Sequence, residues 1–262
     1  MNRSRPSLKL FDQPLIQPHL EFDAGLFHAT TQDTAHALFA PLHYESGYSY
    51  PLIVWLHGPE SDERQLLRIM PLVSMRNYLA VAPRGPLVDR NESAAGESAT
   101  RYDWRQTDAH EQQSEQRILD CLESVSQKFN VARHRVFLAG FDTGGTMAFR
   151  VALGRPERFA GVLSLGGAFP TGRNPLANLS QARRLPVLLA VGRASQVYPE
   201  VKVCADLRLL HTAGLSTTLR LYPCGHEISP QMLGDVDRWI IDQITSGSQP
   251  APSDPQWSRE AE

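Results

Sequence analysis

The chain has 262 residues, of which 42% are hydrophobic and 21% charged, with a formal net charge of −2. This length suits one large α/β domain with a sizeable core, and the charge balance supplies no basic stretch for nucleic acid or an anionic membrane. No apolar run approaches the roughly 20 residues of a membrane helix. The first residues, MNRSRPSLKLFDQP, lack the apolar centre of a secretory signal.

Residues 1–18 are polar and proline-containing and read as an N-terminal extension, followed by a domain over 19–246. Leu20–Thr30 and Thr34–Leu42 alternate loosely, predicting two strands with a turn at Gln32 and Asp33. Pro51–Leu56 is a continuous apolar run, as expected of a strand buried on both faces. A helix is predicted over Asp62–Arg76, with Leu66, Leu67, Met70 and Val73 at helical spacing and Ser61 or Asp62 as N-cap. Tyr78–Ala82 is another short strand. The connection Pro83–Asp108 is long for a compact α/β domain, which points to function or mobility. Within it, Asp103 and Trp104 are candidates either for lining a pocket or for pinning the loop.

Glu111–Phe129 carries Ile118, Leu119, Leu122, Val125 and Phe129 on one helical face. Then come a strand at Arg135–Gly140, a helix to about Leu153, and a strand at Ala160–Leu165. Gly166–Arg184 is a short loop-rich insert. A strand Leu185–Gly192, a helix Pro199–Ala213, a strand Ser216–Tyr222 and a helix Ser229–Ile244 complete the domain. The last residues, 247–262, are rich in Ser, Pro, Gln and Glu and are expected to form a tail. Alternating strands and helices predict a mostly parallel sheet with helices on both faces and ligands at the carboxyl ends of the strands.

Cys121, Cys204 and Cys224 form an odd set without C-x-x-C spacing, which reads as reduced thiols in a cytoplasmic protein rather than a disulfide framework or a zinc site. Cys224 stands two residues before His226, but on a loop such neighbours generally point apart. His57 is read as support for its turn. His110, His134 and His211 are scattered, so no metal site is expected. No G-x-G-x-x-G follows a strand, and no cofactor is implied.

The stretch Val136–Met147, VFLAGFDTGGTM, is strand, glycine-flanked turn and helix, the setting of a nucleophile elbow with Asp142 at its centre. Around it stand LHG at 56–58, DERQLL at 62–67, APRGP at 82–86, YDW at 102–104, PERFAGVLSLGG at 156–167, PVLLAVG at 186–192 and GHEIS at 225–229. With these motifs in this order, the chain resembles the phospholipase/carboxylesterase and acyl-protein thioesterase family of α/β-hydrolases over about residues 35–245. The resemblance implies an α/β-hydrolase fold without a large cap and a small ester-like or acyl ligand.

It also implies a triad of serine, aspartate and histidine in that order. Here the serine position holds Asp142, the acid position falls on Ser195 in VGRASQVYP, and the histidine is His226. The family's oxyanion donors map to the backbone of Thr143 and of Pro59, and proline has no N–H to give. An elbow aspartate offers His226 no hydroxyl proton to remove, and Ser195 cannot stabilise an imidazolium as a carboxylate does. One lost oxyanion donor alone costs on the order of 10²–10³ in turnover.

Three readings of Asp142 follow. The first takes it as an N-cap for the helix behind it, in a degraded triad whose owner is a pseudoenzyme or binding module. The second takes it as a nucleophile forming an alkyl ester, as in haloalkane dehalogenases and epoxide hydrolases. Those enzymes, however, usually place an aromatic residue after the Asp, where Thr143 stands, and insert a large cap. Their histidine also needs an acid, and the nearest candidates downstream, Glu200 and Asp206, fall in a predicted helix. The third makes Ser195 the nucleophile of a reversed triad, although its position lies behind the histidine.

Overall fold

A computed structural model describes residues 26–31, 34–88, 101–172 and 175–246. The expected extension 1–18, the turn at Gln32 and Asp33, the middle of the long connection and the tail 247–262 lie outside the described residues. The chain runs through β1 (Leu26–Thr31), β2 (Thr34–Phe39), β3 (Tyr50–Leu56), α1 (Gln65–Val73), β4 (Leu79–Pro83), β5 (Leu87–Val88), β6 (Arg101–Tyr102) and α2 (Asp108–Lys128). It continues through β7 (Val131–Phe141), α3 (Thr143–Gly154), β8 (Gly161–Leu165), α4 (Leu179–Ala182), β9 (Val187–Gly192), α5 (Glu200–Thr212), β10 (Thr217–Tyr222) and α6 (Pro230–Ser246).

Eight strands form one sheet in the order β1-β2-β4-β3-β7-β8-β9-β10. The six from β4 to β10 are parallel, and β1 and β2 join antiparallel at one side. The apolar runs explain the centre of the sheet. Leu52, Val54 and Leu56 of β3 pack in one core layer while Ile53 and Trp55 pack in the other. In β7, Val136 and Leu138 alternate with Phe137 and Ala139 in the same way. Side chains of a strand point alternately to either face, so a strand with no polar position must be covered twice. Helices α1 and α6 cover one face, and α2, α3 and α5 cover the other. Each buried Val or Leu removed from water contributes about 1.5–3 kcal/mol.

Chain order and strand order diverge at β3. From β3 the chain steps outward to β4, then returns by α2 to place β7 on the other side of β3. Ligand crevices in open parallel sheets form at such a reversal, beyond the carboxyl ends of the strands. Gly58 follows β3 and Asp142 follows β7 at that point.

Several local expectations are corrected. Helix α1 begins at Gln65, and neither Ser61 nor Asp62 caps it; Asp62 Oδ1 instead accepts the Arg64 N–H at 2.9 Å in the turn ahead. The long connection contains the two-stranded ladder β5–β6, pairing Leu87 with Tyr102 and Val88 with Arg101. The insert after β8 contains only the four-residue α4 among its described residues, so no large cap is present there.

Candidate active site

Three loops converge beyond the strand ends. The elbow residue Asp142 sits at φ 52° and ψ −119°, a backbone conformation that a residue with a Cβ adopts only under strain. Such a position costs on the order of 1–3 kcal/mol. The tight turn requires glycine nearby: a Cβ on Gly144 would stand 2.4 Å from the carbonyl oxygens of Leu56 and His57. α3 therefore starts pressed against the end of β3.

This backbone turns the Asp142 side chain away from the helix. Its carboxylate makes no capping hydrogen bond to α3, which corrects the N-cap expectation. Asp142 Oδ2 instead meets His226 Nε2 at 2.8 Å. On the other side of the ring, His226 Nδ1 lies 3.0 Å from Ser195 Oγ. Phe141 stacks obliquely on the imidazole, with ring centres 5.2 Å apart. The structure thus brings together all three residues that the motif order singled out.

The loop carrying Ser195 is held by backbone contacts. Ser195 N–H donates to Gly192 C=O at 3.1 Å, and Tyr198 N–H donates to Ser195 Oγ at 3.0 Å. A Cβ on Gly192 would stand 1.9 Å from Gly225 C=O, so only glycine lets the serine loop lie against the histidine loop. Ser195 is buried.

Donor and acceptor inventories assign the protons. A carboxylate only accepts, so the hydrogen between His226 and Asp142 belongs to Nε2. In the neutral ring Nδ1 then carries the lone pair and accepts the Ser195 hydroxyl, whose oxygen in turn takes the Tyr198 N–H. Both ring nitrogens of His226 are satisfied, but the lone pair of the neutral ring faces Ser195 rather than the elbow. Among the described residues, Asp142 is the one carboxylate hydrogen-bonded to His226. Asp206, a candidate partner, is indeed helical but engaged elsewhere: Oδ2 accepts from Tyr198 Oη at 3.0 Å and Phe169 N–H at 2.9 Å, and Oδ1 pairs with Lys202. Glu200 opens α5 and is exposed.

Of the two positions expected to match the family's oxyanion donors, Thr143 opens α3 and Pro59 lies in an exposed turn beside Glu60. The Thr143 N–H is one of those a helix leaves without an internal acceptor. Its side chain is fixed: Thr143 Oγ1 donates to Asp103 Oδ1 at 2.6 Å, and the same oxygen accepts the Trp104 N–H at 2.7 Å. Of the two roles expected for Trp104, pinning the loop is the one its surroundings match. Trp104 is fully buried, and its indole N–H donates to His57 C=O at 3.0 Å.

His57 is a buried prop as well. Its Nδ1 bonds Gly58 C=O at 2.8 Å and its Nε2 accepts the Gly85 N–H at 3.0 Å. Desolvation holds its pKa below the ordinary 6.5. The pKa of the Cys224 thiol is pushed up by burial and then by Glu227, which disfavours a thiolate. Sequence reading missed the buried Glu63–Arg84 pair, in which Glu63 Oε2 accepts Arg84 Nε at 2.7 Å. Its signal was present, since both residues lie in motifs already singled out, DERQLL and APRGP.

A parallel sheet with a strained elbow at its reversal point and a histidine loop after its last strand defines an α/β-hydrolase. Residues 45–244 match the phospholipase/carboxylesterase family, and the chain belongs to it. The fold is similar to that of a carboxylesterase from Mesorhizobium loti, at 17% identity and a TM-score of 0.64 over 82% of this chain and 98% of that one. It is similar also to SOBER1 of Arabidopsis thaliana, at 19% identity and a TM-score of 0.60 over 75% of this chain and 100% of that one. A Bacillus cereus carboxylesterase aligns at 15% identity and 0.61 over 81% of this chain and 95% of that one. Identities this low speak for the fold. Among the described residues no helix is long and apolar enough to cross a membrane.

Proposed function

We propose that this carboxylesterase-family chain has lost serine-esterase turnover and serves as a pseudoenzyme, a binding module for a small ester-like or acyl ligand. The observation that carries this reading is the inverted relay Asp142–His226–Ser195, with contacts of 2.8 and 3.0 Å. An acceptor stands where a hydroxyl must attack, and a hydroxyl stands where a carboxylate must hold the imidazolium. Weakening the acid behind the histidine alone costs about 10⁴ in turnover in serine proteases. The missing N–H at Pro59 adds to that loss. Three free thiols, Cys121, Cys204 and Cys224, support a reducing, cytoplasmic setting.

The test exchanges the two misplaced residues. Asp142→Ser with Ser195→Asp should yield hydrolysis of short aryl esters where the unaltered chain has none, and Pro59→Gly on top should raise it further. A folded double variant that hydrolyses no ester would overturn the claim that a competent ester pocket persists.

A second reading has its own support. The elbow strain at Asp142 persists, and strained backbone concentrates at functional sites. On this reading Asp142 attacks a substrate carbon and His226 directs water at the resulting ester. A single turnover in ¹⁸O-labelled water would then leave label in the Asp142 side chain. Product formed without label on Asp142 excludes it.

A further inference from the structure

Away from the elbow, the open edge of the sheet carries a second cavity. β10 is the outermost strand on that side, and α5 packs against it. Between them lies a cavity of about 300 Å³ walled by Val191, Val203, Leu219 and Leu221, with Arg193, Glu200, Gly192 and Cys204 also in the lining. Leu219 and Leu221 stand two residues apart on β10 and so share the face turned toward α5. Val191 and Val203 are buried and pack with Tyr198, which gives the cavity a fixed apolar floor.

The two charged residues are exposed, and each lacks a side-chain partner. Among the described residues neither the Arg193 guanidinium nor the Glu200 carboxylate forms an ion pair, with the other or with a third group. They border one cavity and do not pair with each other. A simple anion here meets Arg193 but is repelled by Glu200, and a simple cation meets the reverse. A ligand carrying both charges on adjacent groups satisfies both, and an apolar branch on it fills the Val and Leu walls. The volume lies at the small end of ligand pockets, which leaves room for a free amino acid.

We propose that this cavity binds a free α-amino acid with a branched apolar side chain. Its α-carboxylate pairs with Arg193, its α-ammonium with Glu200, and its side chain lies against Leu219, Leu221 and Val203. Carboxylate on guanidinium is the bidentate geometry that arginine favours. The proposal is independent of what Asp142 does.

Calorimetric titration of the full chain tests it with four probes: L-leucine, 4-methylpentanoate, 3-methylbutylamine and free glycine. L-leucine should bind saturably. The probes lacking the ammonium, the carboxylate or the side chain should each bind at least about tenfold more weakly, the equivalent of one charge-assisted contact or a buried isobutyl group. Arg193→Gln should abolish the preference for leucine over the amine and keep its preference over glycine. Glu200→Gln should abolish the preference over the carboxylic acid. Both positions are exposed, so unchanged thermal melting is expected of each variant and confirms its folding. Absence of saturable leucine binding, 4-methylpentanoate or glycine binding as tightly as leucine, or leucine affinity unchanged in both variants would each overturn the proposal.

Discussion

At the scale of single residues, Asp142 combines one cost and one gain. Its φ of 52° is strained, and its carboxylate recovers stability by bonding His226 rather than by capping α3. Separating these effects needs two substitutions that both remove the carboxylate. Asp142→Gly tolerates the backbone and Asp142→Ala does not, so the glycine variant should be more stable by about 1 kcal/mol in urea unfolding. Equal stabilities would mean that the elbow relaxes once the side chain is gone. His57 yields a pH signature. Burial lowers its folded pKa below 6.5, so below that pH the unfolded chain binds more protons than the folded one. Its contribution to stability is therefore complete above about pH 6.5 and is lost as the pH falls from there toward the folded pKa. His57→Gln, which keeps an acceptor for Gly85 N–H, should flatten the fall in melting temperature between neutral and mildly acid pH. Asp142 and, through the motif order, its pairing with His226 were legible in the sequence. That it pairs at the expense of capping α3 was not, because the two differ in a backbone rotation that the letters do not encode.

At the scale of elements, the long connection is the part that sequence described least. Its polar composition suggested a mobile or functional loop, yet its last described portion is tied down at three points. Arg101 and Tyr102 pair with β5, Trp104 is buried under His57, and Asp103 holds Thr143. A polar stretch anchored by one tryptophan gives no periodicity to read, which is why the sequence singled out Asp103 and Trp104 without deciding between a pocket lining and an anchor. Trp104→Phe removes the N–H donated to His57 C=O and shrinks a fully buried indole to a phenyl ring. It should cost about 1–3 kcal/mol in denaturant unfolding, from a buried carbonyl left unpaired and the cavity beside it; no loss would mean that neighbouring groups close the space and the carbonyl finds another donor. Helix α1 shows a related limit. Its apolar stripe was visible, but its start moved from Asp62 to Gln65 because Asp62 serves the preceding turn. Strands β3, β8 and β9 were legible almost to the residue, since an apolar run covered on both faces has few other places to go.

At the scale of the whole molecule, the motif order and the strand order agree. A parallel sheet reversing at β3 brings the LHG turn, the elbow, the serine loop and the histidine loop to one rim. Burial at the sheet centre is tight enough that Leu138→Ala should cost about 2–5 kcal/mol, read as a loss in denaturation free energy. A value below 1 kcal/mol would contradict the packing described for β7. Such a scaffold holds its rim residues in place whatever their chemistry, so a triad can be inverted residue by residue without loss of fold. That is the central claim, and it is tested most directly on the unaltered chain. Incubated with a fluorophosphonate and analysed by intact mass, the protein should gain no adduct, and its hydrolysis of a short aryl ester should not exceed that of His226→Ala. A stoichiometric adduct on Ser195, or ester turnover that disappears in Asp142→Asn, would contradict it.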